Sequence, residues 1–387
     1  MRNFNFMLYL AGLSMLGFLA TDMYLPAFNM MEQELKISSN AIGASLSIYL
    51  AGFSLAQLIW GPLSDRYGCK IILLIGLTIF SLGCLCMLWV ETVEQLWALR
   101  FIQAVGVCAA SISWQSIVID RYKGILAKKV LATIMPLVAL SPALAPLMGA
   151  WLITFMNWRA IFTVQLIISI GLTIPTILLK VRKRINSVSA PKNIGFRELL
   201  KSPIFRGNVL IYSACSAGFF AWLTGSPFIL GNMGYSPTVI GLSYIPQTFA
   251  FIIGRFGCRA ALNRTTGSSL LPWLLCVYTL SVVGLYLVAT MTTPTLTTLL
   301  IPFCIMSLVD GAIYPVVVGN TITSFSESIG KTVSLQNTLQ LGLCFIASML
   351  VSANVEQPLL ATVTVMLSTV FLAIFGYMIQ RGKFILK

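Results

Sequence analysis

Twelve long apolar runs constrain the fold of this chain more than any other feature of its sequence. Each run is roughly 18 to 25 residues long, the length at which an α-helix crosses a hydrocarbon core about 30 Å thick. Backbone polar groups find no water in lipid, and the runs lack the period-two alternation of barrel strands, so we predict helices. The predicted spans are 4–26, 41–62, 71–90, 95–119, 129–153, 160–179, 206–230, 238–256, 269–290, 295–318, 332–354 and 358–380.

The composition excludes a water-soluble globular chain of this length. Of the 387 residues, 58% are hydrophobic and 9% are charged, and the mean hydropathy is +0.90. A soluble fold would need a charged surface that so few ionisable side chains cannot provide. The expected fold class is therefore an all-α membrane protein with twelve transmembrane helices. We expect the first run to stay in the mature protein, because it contains Asp22 and ends without a small-residue cleavage site.

The basic residues gather on one side of the predicted membrane. With Arg2 placed in the cytoplasm, roughly 22 of the 25 lysines and arginines fall in cytoplasmic segments, and the outer loops hold only Lys36 and Arg159. This asymmetry follows the positive-inside rule and predicts a bacterial inner-membrane protein with both termini in the cytoplasm. The net charge of +14 is thus a signal of topology and indicates no nucleic-acid partner.

The longest polar stretch, 180–205, divides the runs six from six. We therefore predict an N-terminal six-helix bundle at 1–179, a cytoplasmic linker at 180–205 and a pseudo-symmetric C-terminal bundle at 206–387. An internal echo supports the duplication: the segments 65–70 (DRYGCK) and 254–259 (GRFGCR) share three identities after the second and eighth runs.

The segment 61–70, GPLSDRYGCK, resembles the G-x-L-[AS]-D-R-x-G-[RK]-[RK] loop of the major facilitator superfamily. In that family the acid of the loop meets the N-terminal end of a helix of the other half, and its bases pair with nearby acids. The resemblance implies a cytoplasmic gate that holds the inner side closed while the carrier opens outward. The residues expected in this gate are Gly61, Asp65, Arg66, Gly68, Lys70, Asp120 and Arg121, with a solvated loop pair as the alternative for the last two.

Three charged residues, Asp22, Arg100 and Asp310, lie well inside the runs. A charge buried in a membrane needs a partner, a water-filled cavity or a function. The segment 22–26 (DMYLP) resembles the first-helix element of drug/proton antiporters, in which the Asp binds the proton, and 100–106 (RFIQAVG) resembles the R-x-x-Q-G-x-G element of proton-driven facilitators. The resemblance implies proton coupling at Asp22, with a permanent Asp22–Arg100 ion pair as the structural alternative. For Asp310, a second proton site and a polar cavity group both stay open.

Polar and aromatic side chains share single faces of the fourth, seventh and eleventh runs, at spacings of about one or two helical turns. Hydroxyls, amides and aromatic planes suit a neutral or weakly cationic ring-bearing solute. The same residue types also join membrane helices to one another, so each has a structural alternative. The expected cavity residues are Tyr24, Gln103, Ser111, Gln115, Asn208, Tyr212, Ser216, Trp222, Gln336 and Gln340.

The fifth run carries Pro142, Pro146 and Gly149 where antiporters of the superfamily carry a Gly/Pro-rich element. Proline removes a backbone hydrogen bond and permits bending, while small residues let helices approach closely. The match is loose, with Ala in place of one Gly, which weakens the inference of antiport.

The resemblance covers essentially the whole chain and is strongest to the Bcr/CflA branch of twelve-helix drug/proton carriers. It implies a proton-coupled secondary transporter of a small organic solute that works by alternating access, with drug efflux in exchange for protons as the first expectation. The segments 19–26 and 221–228 resemble a purine nucleoside carrier of the same branch, so nucleoside uptake is the alternative.

The expected partners are a small-molecule substrate, protons and the lipid bilayer, and we expect a monomer that needs no cofactor because a proton gradient drives it. We expect no metal site, since the chain has no His and its nine cysteines are scattered, as small apolar filler, over several runs. An intramembrane enzyme is disfavoured because the clustered acids, His or metal ligands such an enzyme needs are missing. A channel or a sensor is a third class.

Overall fold

The structure is a computed structural model that describes residues 2–122, 125–179, 196–291, 293–325 and 329–381. These residues form fourteen α-helices, with short 3₁₀ turns at Leu25–Ala27 and Met87–Trp89, and contain no strand. The helices are α1 Arg2–Asp22, α2 Phe28–Leu35, α3 Ser39–Tyr67, α4 Cys69–Cys86, α5 Val93–Arg121, α6 Ile125–Phe155, α7 Arg159–Leu178, α8 Phe196–Lys201, α9 Pro203–Asn232, α10 Pro237–Ala261, α11 Gly267–Met291, α12 Leu296–Ser324, α13 Ile329–Ser352 and α14 Pro358–Arg381.

Eleven helical segments within the described ranges are long and apolar enough to cross a membrane. They coincide with eleven of the twelve predicted runs. The remaining run, 129–153, lies in α6, where the described apolar stretch Leu140–Phe155 is shorter. The prediction of an all-α membrane protein is confirmed.

The first helix ends earlier than the predicted span 4–26. Helix α1 stops at Asp22, a 3₁₀ turn containing Pro26 follows, and the short helix α2 begins at Phe28. Proline lacks the N–H that would continue the helix and disfavours helical backbone at the residue before it. Asp22 therefore lies at the end of α1.

The segment 61–70, expected to be a loop after a helix that ends at residue 62, is mostly helical. Helix α3 continues through Pro62 to Tyr67, and Gly68 is the one non-helical residue before α4. Gly68 has a φ of 90°, in the region that glycine adopts without strain. In the predicted linker, 180–195 lies outside the described residues, while the remainder forms α8 and the start of α9.

The chain clusters into two compact units, residues 1–188 with 236–242, and residues 189–235 with 243–387. In the first unit, α5 packs against α3 and α4, and α1 packs against α5, α6 and α7. In the second, α9 packs against α12, α13 and α14, and α11 packs against α12 and α14. The bounds 1–179, 180–205 and 206–387 stay a prediction.

Arg159, the first residue of α7, ties three segments of the first unit together at the predicted outer side. Its Nε donates to the Leu88 carbonyl at 3.0 Å and its Nη2 to the Val90 carbonyl at 3.1 Å. It also pairs with Glu34 of α2, and its guanidinium lies over the Trp158 ring. This pair is the one salt bridge among the residues that the structure describes.

Candidate functional site

The buried guanidinium of Arg100 is the centre of the polar interior of the first unit. The side chain on α5 is 0% exposed, and its Nη1 donates to the Ala20 carbonyl at 3.1 Å and to Gln103 Oε1 at 2.9 Å. Its Cζ lies 4.1 Å from the ring centroid of Tyr24 and 4.3 Å from that of Tyr49. The cation thus lies over two aromatic rings, a contact that suits a planar guanidinium.

Two nitrogens of Arg100 keep their donor capacity. Nε and Nη2 are buried and have no hydrogen-bond partner within the described part of the chain. A buried charged donor without a partner is costly, so such groups are rare outside functional sites. The geometry therefore gives Arg100 spare donors for a solute or for a carboxylate that approaches.

Asp22 lies close to Arg100 but is not paired with it. The Asp22 side chain is 3% exposed, and it interacts electrostatically with Arg100, which bonds the carbonyl of Ala20 two residues earlier in α1. No lysine or arginine nitrogen of the described residues lies within 4.0 Å of the Asp22 carboxylate, because the single such pair joins Arg159 to Glu34. The permanent Asp22–Arg100 ion pair that the sequence allowed is therefore wrong for this structure.

A chain of polar side chains runs from Arg100 back to α1. Gln103 accepts from Arg100, and its Nε2 donates to the Cys84 sulfur at 3.5 Å. The Cys84 thiol donates to Gln165 Oε1 at 3.8 Å, and Gln165 Nε2 donates to the Leu19 carbonyl at 3.1 Å. The network joins α5, α4 and α7 to the last turn of α1, which carries Asp22. Cys84 is thus more than apolar filler.

The two tyrosines beside Arg100 are fixed by their hydroxyl groups. The hydroxyls of Tyr24 and Ser45 share a hydrogen bond at 2.9 Å, and the Tyr49 hydroxyl donates to the Gly17 carbonyl at 3.4 Å. Sequence reasoning missed Tyr49, because one tyrosine in an apolar run is typical of ordinary membrane packing. It also missed Gln165, although a lone amide in the otherwise apolar sixth run was a usable signal.

Two cavity residues predicted on α5 do not join this cluster. Ser111 and Gln115 lie about three and four turns further along the helix than Arg100. Ser111 Oγ donates to the Val107 carbonyl at 3.5 Å, and Gln115 is exposed. The polar face of α5 extends well beyond the residues that surround Asp22.

Helix α6 brings Gly149 against the segment that follows Asp22. A Cβ atom at Gly149 would lie 1.7 Å from the Met23 backbone oxygen, so only glycine permits this approach. Pro142 and Pro146, the other two residues of the predicted element, lie within α6. The crossing positions the backbone beside Asp22.

The second unit has its own buried acid. Asp310 on α12 is 7% exposed, and it interacts electrostatically with Tyr212 and Cys215 of α9, Tyr278 of α11 and Cys344 of α13. Among the described residues, no group of three or more His, Cys, Asp or Glu side chains comes together for a metal ion.

Three of the predicted residues of α9 and α13 differ in their distance from this acid and in their contacts. Gln340 Nε2 donates to the Cys344 sulfur at 3.4 Å, which places that amide beside a neighbour of Asp310. Gln336 is 2% exposed, and its Oε1 has no partner in the described segments. Asn208 instead accepts from Gln380 of α14 at 3.4 Å.

Two further predicted residues of α9, Ser216 and Trp222, are buried. The Trp222 ring stacks on Phe303 at 4.6 Å between centroids, a packing contact between α9 and α12. The ring of Tyr212 meets that of Tyr314 at 5.3 Å, and Arg255 lies over Tyr314 with its Cζ 4.7 Å from the centroid.

The predicted gate residues make contacts within the first unit. Lys70 Nζ donates to the Ile177 carbonyl at 2.7 Å, at the C-terminal end of α7, where a cation is favoured by the helix dipole. Arg66 lies over Tyr67, and Arg121 lies over Phe6. The resemblance implied that the basic residues of this segment pair with acids. Lys70 instead donates to a backbone carbonyl at the end of α7. Gly61 is helical, and the side chains of Asp65 and Asp120 lie outside the described residues.

Comparisons with known proteins agree with this architecture. The chain is 33% identical over 258 residues to the uncharacterized MFS-type transporter YdgK of Bacillus subtilis, covering 63% of this chain and 64% of that protein. It is 28% identical over 293 residues to the bicyclomycin resistance protein homolog of Haemophilus influenzae, covering 74% and 73%. The crystal structure of a D-xylose–proton symporter matches with a TM-score of 0.78 at 12% identity, over 98% of this chain and 97% of that one, which shows a shared fold.

The first of these relatives is matched over less than two thirds of its length. The sequence profile of the Major Facilitator Superfamily matches residues 10–349, nearly the whole chain. The chain belongs to the Major Facilitator Superfamily, as its sequence resemblance implied, and it is a multi-pass membrane protein.

Proposed function

We propose that this transporter exports small, drug-like organic solutes across the bacterial inner membrane in exchange for protons. The observation that carries the proposal is the geometry at the end of α1, where the buried acid Asp22 lies beside, but unpaired with, the buried Arg100. The Haemophilus relative named for bicyclomycin resistance supports a drug as the solute. The resemblance of 22–26 to drug/proton antiporters supports proton exchange at Asp22.

The proposed mechanism uses Asp22 as the proton carrier and Arg100 as a fixed neighbouring charge. A nearby guanidinium favours the ionised carboxylate, whereas burial favours the protonated acid, so small changes in access shift the balance between them. If the two units alternate access to either side of the membrane, each conformation has a different affinity for the proton. A ligand moves such an equilibrium only by its differential affinity for the two states. No cofactor takes part, because the proton gradient supplies the free energy.

The proposed solute is a flat or aromatic molecule. The rings of Tyr24 and Tyr49 lie at the Arg100 guanidinium, and Arg100 has two nitrogens without a partner in the described residues. Aromatic faces with few polar groups are typical of sites for ring-bearing solutes. Stacking on a tyrosine and one charge-assisted contact then suffice for a broad substrate range.

Uptake of a purine nucleoside is the second candidate function. The observation that favours it is the buried amide of Gln336, whose Oε1 has no partner in the described residues. An amide side chain pairs with the edge of a purine through two hydrogen bonds.

The test uses purified protein in liposomes with an imposed pH gradient. Ethidium and a labelled purine nucleoside are supplied separately, and their flux is compared for wild type and Asp22→Asn. We expect ethidium to move against its gradient in the direction opposite to proton flow, and Asp22→Asn to lose this driven flux. The matched control is Glu91→Gln, an exposed acid outside the site, which should behave as wild type.

Two outcomes would contradict the proposal. Proton-driven ethidium transport that persists in Asp22→Asn would remove Asp22 as the carrier. Nucleoside flux in the same direction as protons, with no driven ethidium flux, would replace drug export by nucleoside uptake.

A further inference from the structure

Asp310 is a buried acid that the mechanism at Asp22 does not use. It lies in α12 of the second unit and is 7% exposed. A carboxylate inside a membrane protein costs several kcal/mol unless a cation, a metal or water compensates its charge. The side chains that surround it therefore decide which form of the acid is stable.

No basic side chain of the described residues compensates Asp310. Its carboxylate has no lysine or arginine nitrogen within 4.0 Å in those segments. Arg255, one of the two arginines of the neighbouring α10, packs its guanidinium on the Tyr314 ring, with Cζ 4.7 Å from the centroid. The Tyr314 ring in turn meets Tyr212, so this cation is held by aromatic faces and not by the acid.

The titratable groups that face Asp310 are neutral at physiological pH. They are Tyr212 and Cys215 from α9, Tyr278 from α11 and Cys344 from α13. Phenols and thiols lose their protons only above neutral pH, so none of them supplies a positive charge. A buried surrounding of neutral groups favours the protonated form of a carboxyl group over the ionised form.

The backbone holds Asp310 inside the unit. A Cβ atom at Gly311 would lie 2.1 Å from the Phe251 backbone oxygen, and one at Gly254 would lie 1.7 Å from the Leu308 oxygen. Helices α10 and α12 thus touch backbone to backbone on both sides of Asp310. This close crossing fixes α12 against α10 at the position of Asp310.

We infer that Asp310 is a second proton-binding site, separate from Asp22, which holds a proton in the described conformation and releases it during transport. Asp22 lies in the first unit beside an arginine, whereas Asp310 lies in the second unit among tyrosines and cysteines. Unlike surroundings give the two acids unlike proton affinities. The carrier would then exchange two protons in each cycle.

The first experiment needs no solute and so does not depend on the proposed function. Infrared spectra of the purified protein in lipid at neutral pH report the carbonyl stretch of protonated carboxyl groups. We expect Asp310→Asn to lose one such band, Asp310→Glu to keep a shifted band, and Glu91→Gln to match wild type. Identical wild-type and Asp310→Asn spectra in this region would overturn the inference.

The second experiment rests on the proposed proton coupling. With the membrane potential clamped at zero and a tenfold proton gradient, the ethidium gradient at which net flux stops reports the number of protons exchanged. At zero membrane potential, each exchanged proton multiplies the ethidium gradient that can be sustained by the tenfold proton gradient. Loss of one of two protons in Asp310→Asn should therefore lower the ethidium gradient about tenfold. An unchanged gradient would overturn the second exchanged proton. Loss of the infrared band in a protein without any driven ethidium flux would uphold the site while the proposed function fails.

Discussion

Arg100 shows how one buried charge organises its neighbours. Its guanidinium donates hydrogen bonds to the Ala20 carbonyl of α1 and to Gln103 of its own helix, and it lies over the rings of Tyr24 and Tyr49. The rings contribute attraction without accepting the Nε and Nη2 protons, so the stabilised cation keeps two free donors. A lysine in this place would have neither the planar faces nor the spare donors.

Tyr49 should act on Arg100 through its ring. We expect Tyr49→Leu to remove a cation–π contact worth about 0.5–2 kcal/mol and to lower both thermal stability and driven ethidium flux. Tyr49→Phe keeps the ring and loses the hydroxyl interactions with the Gly17 carbonyl, at 3.4 Å, and with Thr21, so it should stay nearer to wild type than Tyr49→Leu. Thermal unfolding in detergent and flux in liposomes measure the two effects.

The matched control for this pair is Tyr286→Leu, a half-buried tyrosine of α11 in the second unit. It should leave flux unchanged. If Tyr49→Phe impaired transport as much as Tyr49→Leu, the hydroxyl group and not the ring would be responsible.

Residues with a charge inside an apolar run could be predicted, and their neutral neighbours could not. Asp22, Arg100 and Asp310 stand out because a buried charge is costly wherever the fold places it. Cys84 joins the network only through contacts with helices far away in the sequence, and its own run carries no sign of this pairing. Gln165 carried one usable signal, a lone amide in an apolar run, but that signal does not reveal its partners.

At the level of helices, backbone crossings at glycine set the positions of the charged residues. Gly149 of α6 meets the backbone of Met23, next to Asp22, and Gly311 of α12 meets α10, next to Asp310. In each unit the acid is the neighbour of a crossing residue, so its backbone is among the least free to move.

We expect Gly149→Ala to destabilise the first unit. Its Cβ would lie 1.7 Å from the Met23 oxygen, and such overpacking typically costs about 1–3 kcal/mol or more. Gly171→Ala in α7 is the matched control, since a Cβ there meets nothing within 4 Å. It should leave the melting temperature unchanged or raise it, because alanine favours a helix by about 0.5–1 kcal/mol over glycine.

Thermal unfolding of the purified variants measures both changes. Equal melting temperatures for the two alanine variants would show that the crossing of α1 and α6 yields to a methyl group at little cost.

Run lengths predicted the helices, but not where they end. Apolar composition reports which residues lie in lipid, whereas a helix ends where its backbone hydrogen bonds end. Residues 63–67, most of them polar, thus continue α3 beyond the predicted span 41–62, and α1 stops before the apolar run does because of Pro26. The short helix α2 has too few apolar residues to be seen by this criterion.

At the scale of the whole molecule, the charge asymmetry predicts the orientation in the membrane. We expect a fluorescent protein fused after Lys387 to fluoresce and an alkaline phosphatase fused there to be inactive, since both termini are expected in the cytoplasm. A phosphatase fused after Asn354, in the segment between α13 and α14, should be active. The reverse pattern in bacterial colonies would invert the proposed topology.

The fold class and the family could be predicted because they depend on twelve runs and one loop spread over the whole chain. The solute could not, since it depends on a few side chains whose polar atoms also serve packing, as Asn208 does against α14. The reach of α8 into the predicted linker was also missed, because six residues form too short a pattern.

The polar network around α1 also has a consequence for biosynthesis. Arg100 is 80 residues after the carbonyl of Ala20 to which it donates, and Gln165 is 146 residues after the carbonyl of Leu19. At translation rates of roughly 5–20 residues per second, the partners of the last turn of α1 emerge from the ribosome several to tens of seconds after it. During that interval Asp22 has neither its neighbouring arginine nor the network that joins α7 to its own turn. We therefore expect the last turn of the first helix to reach its final packing only after the fourth and sixth spans have been synthesised.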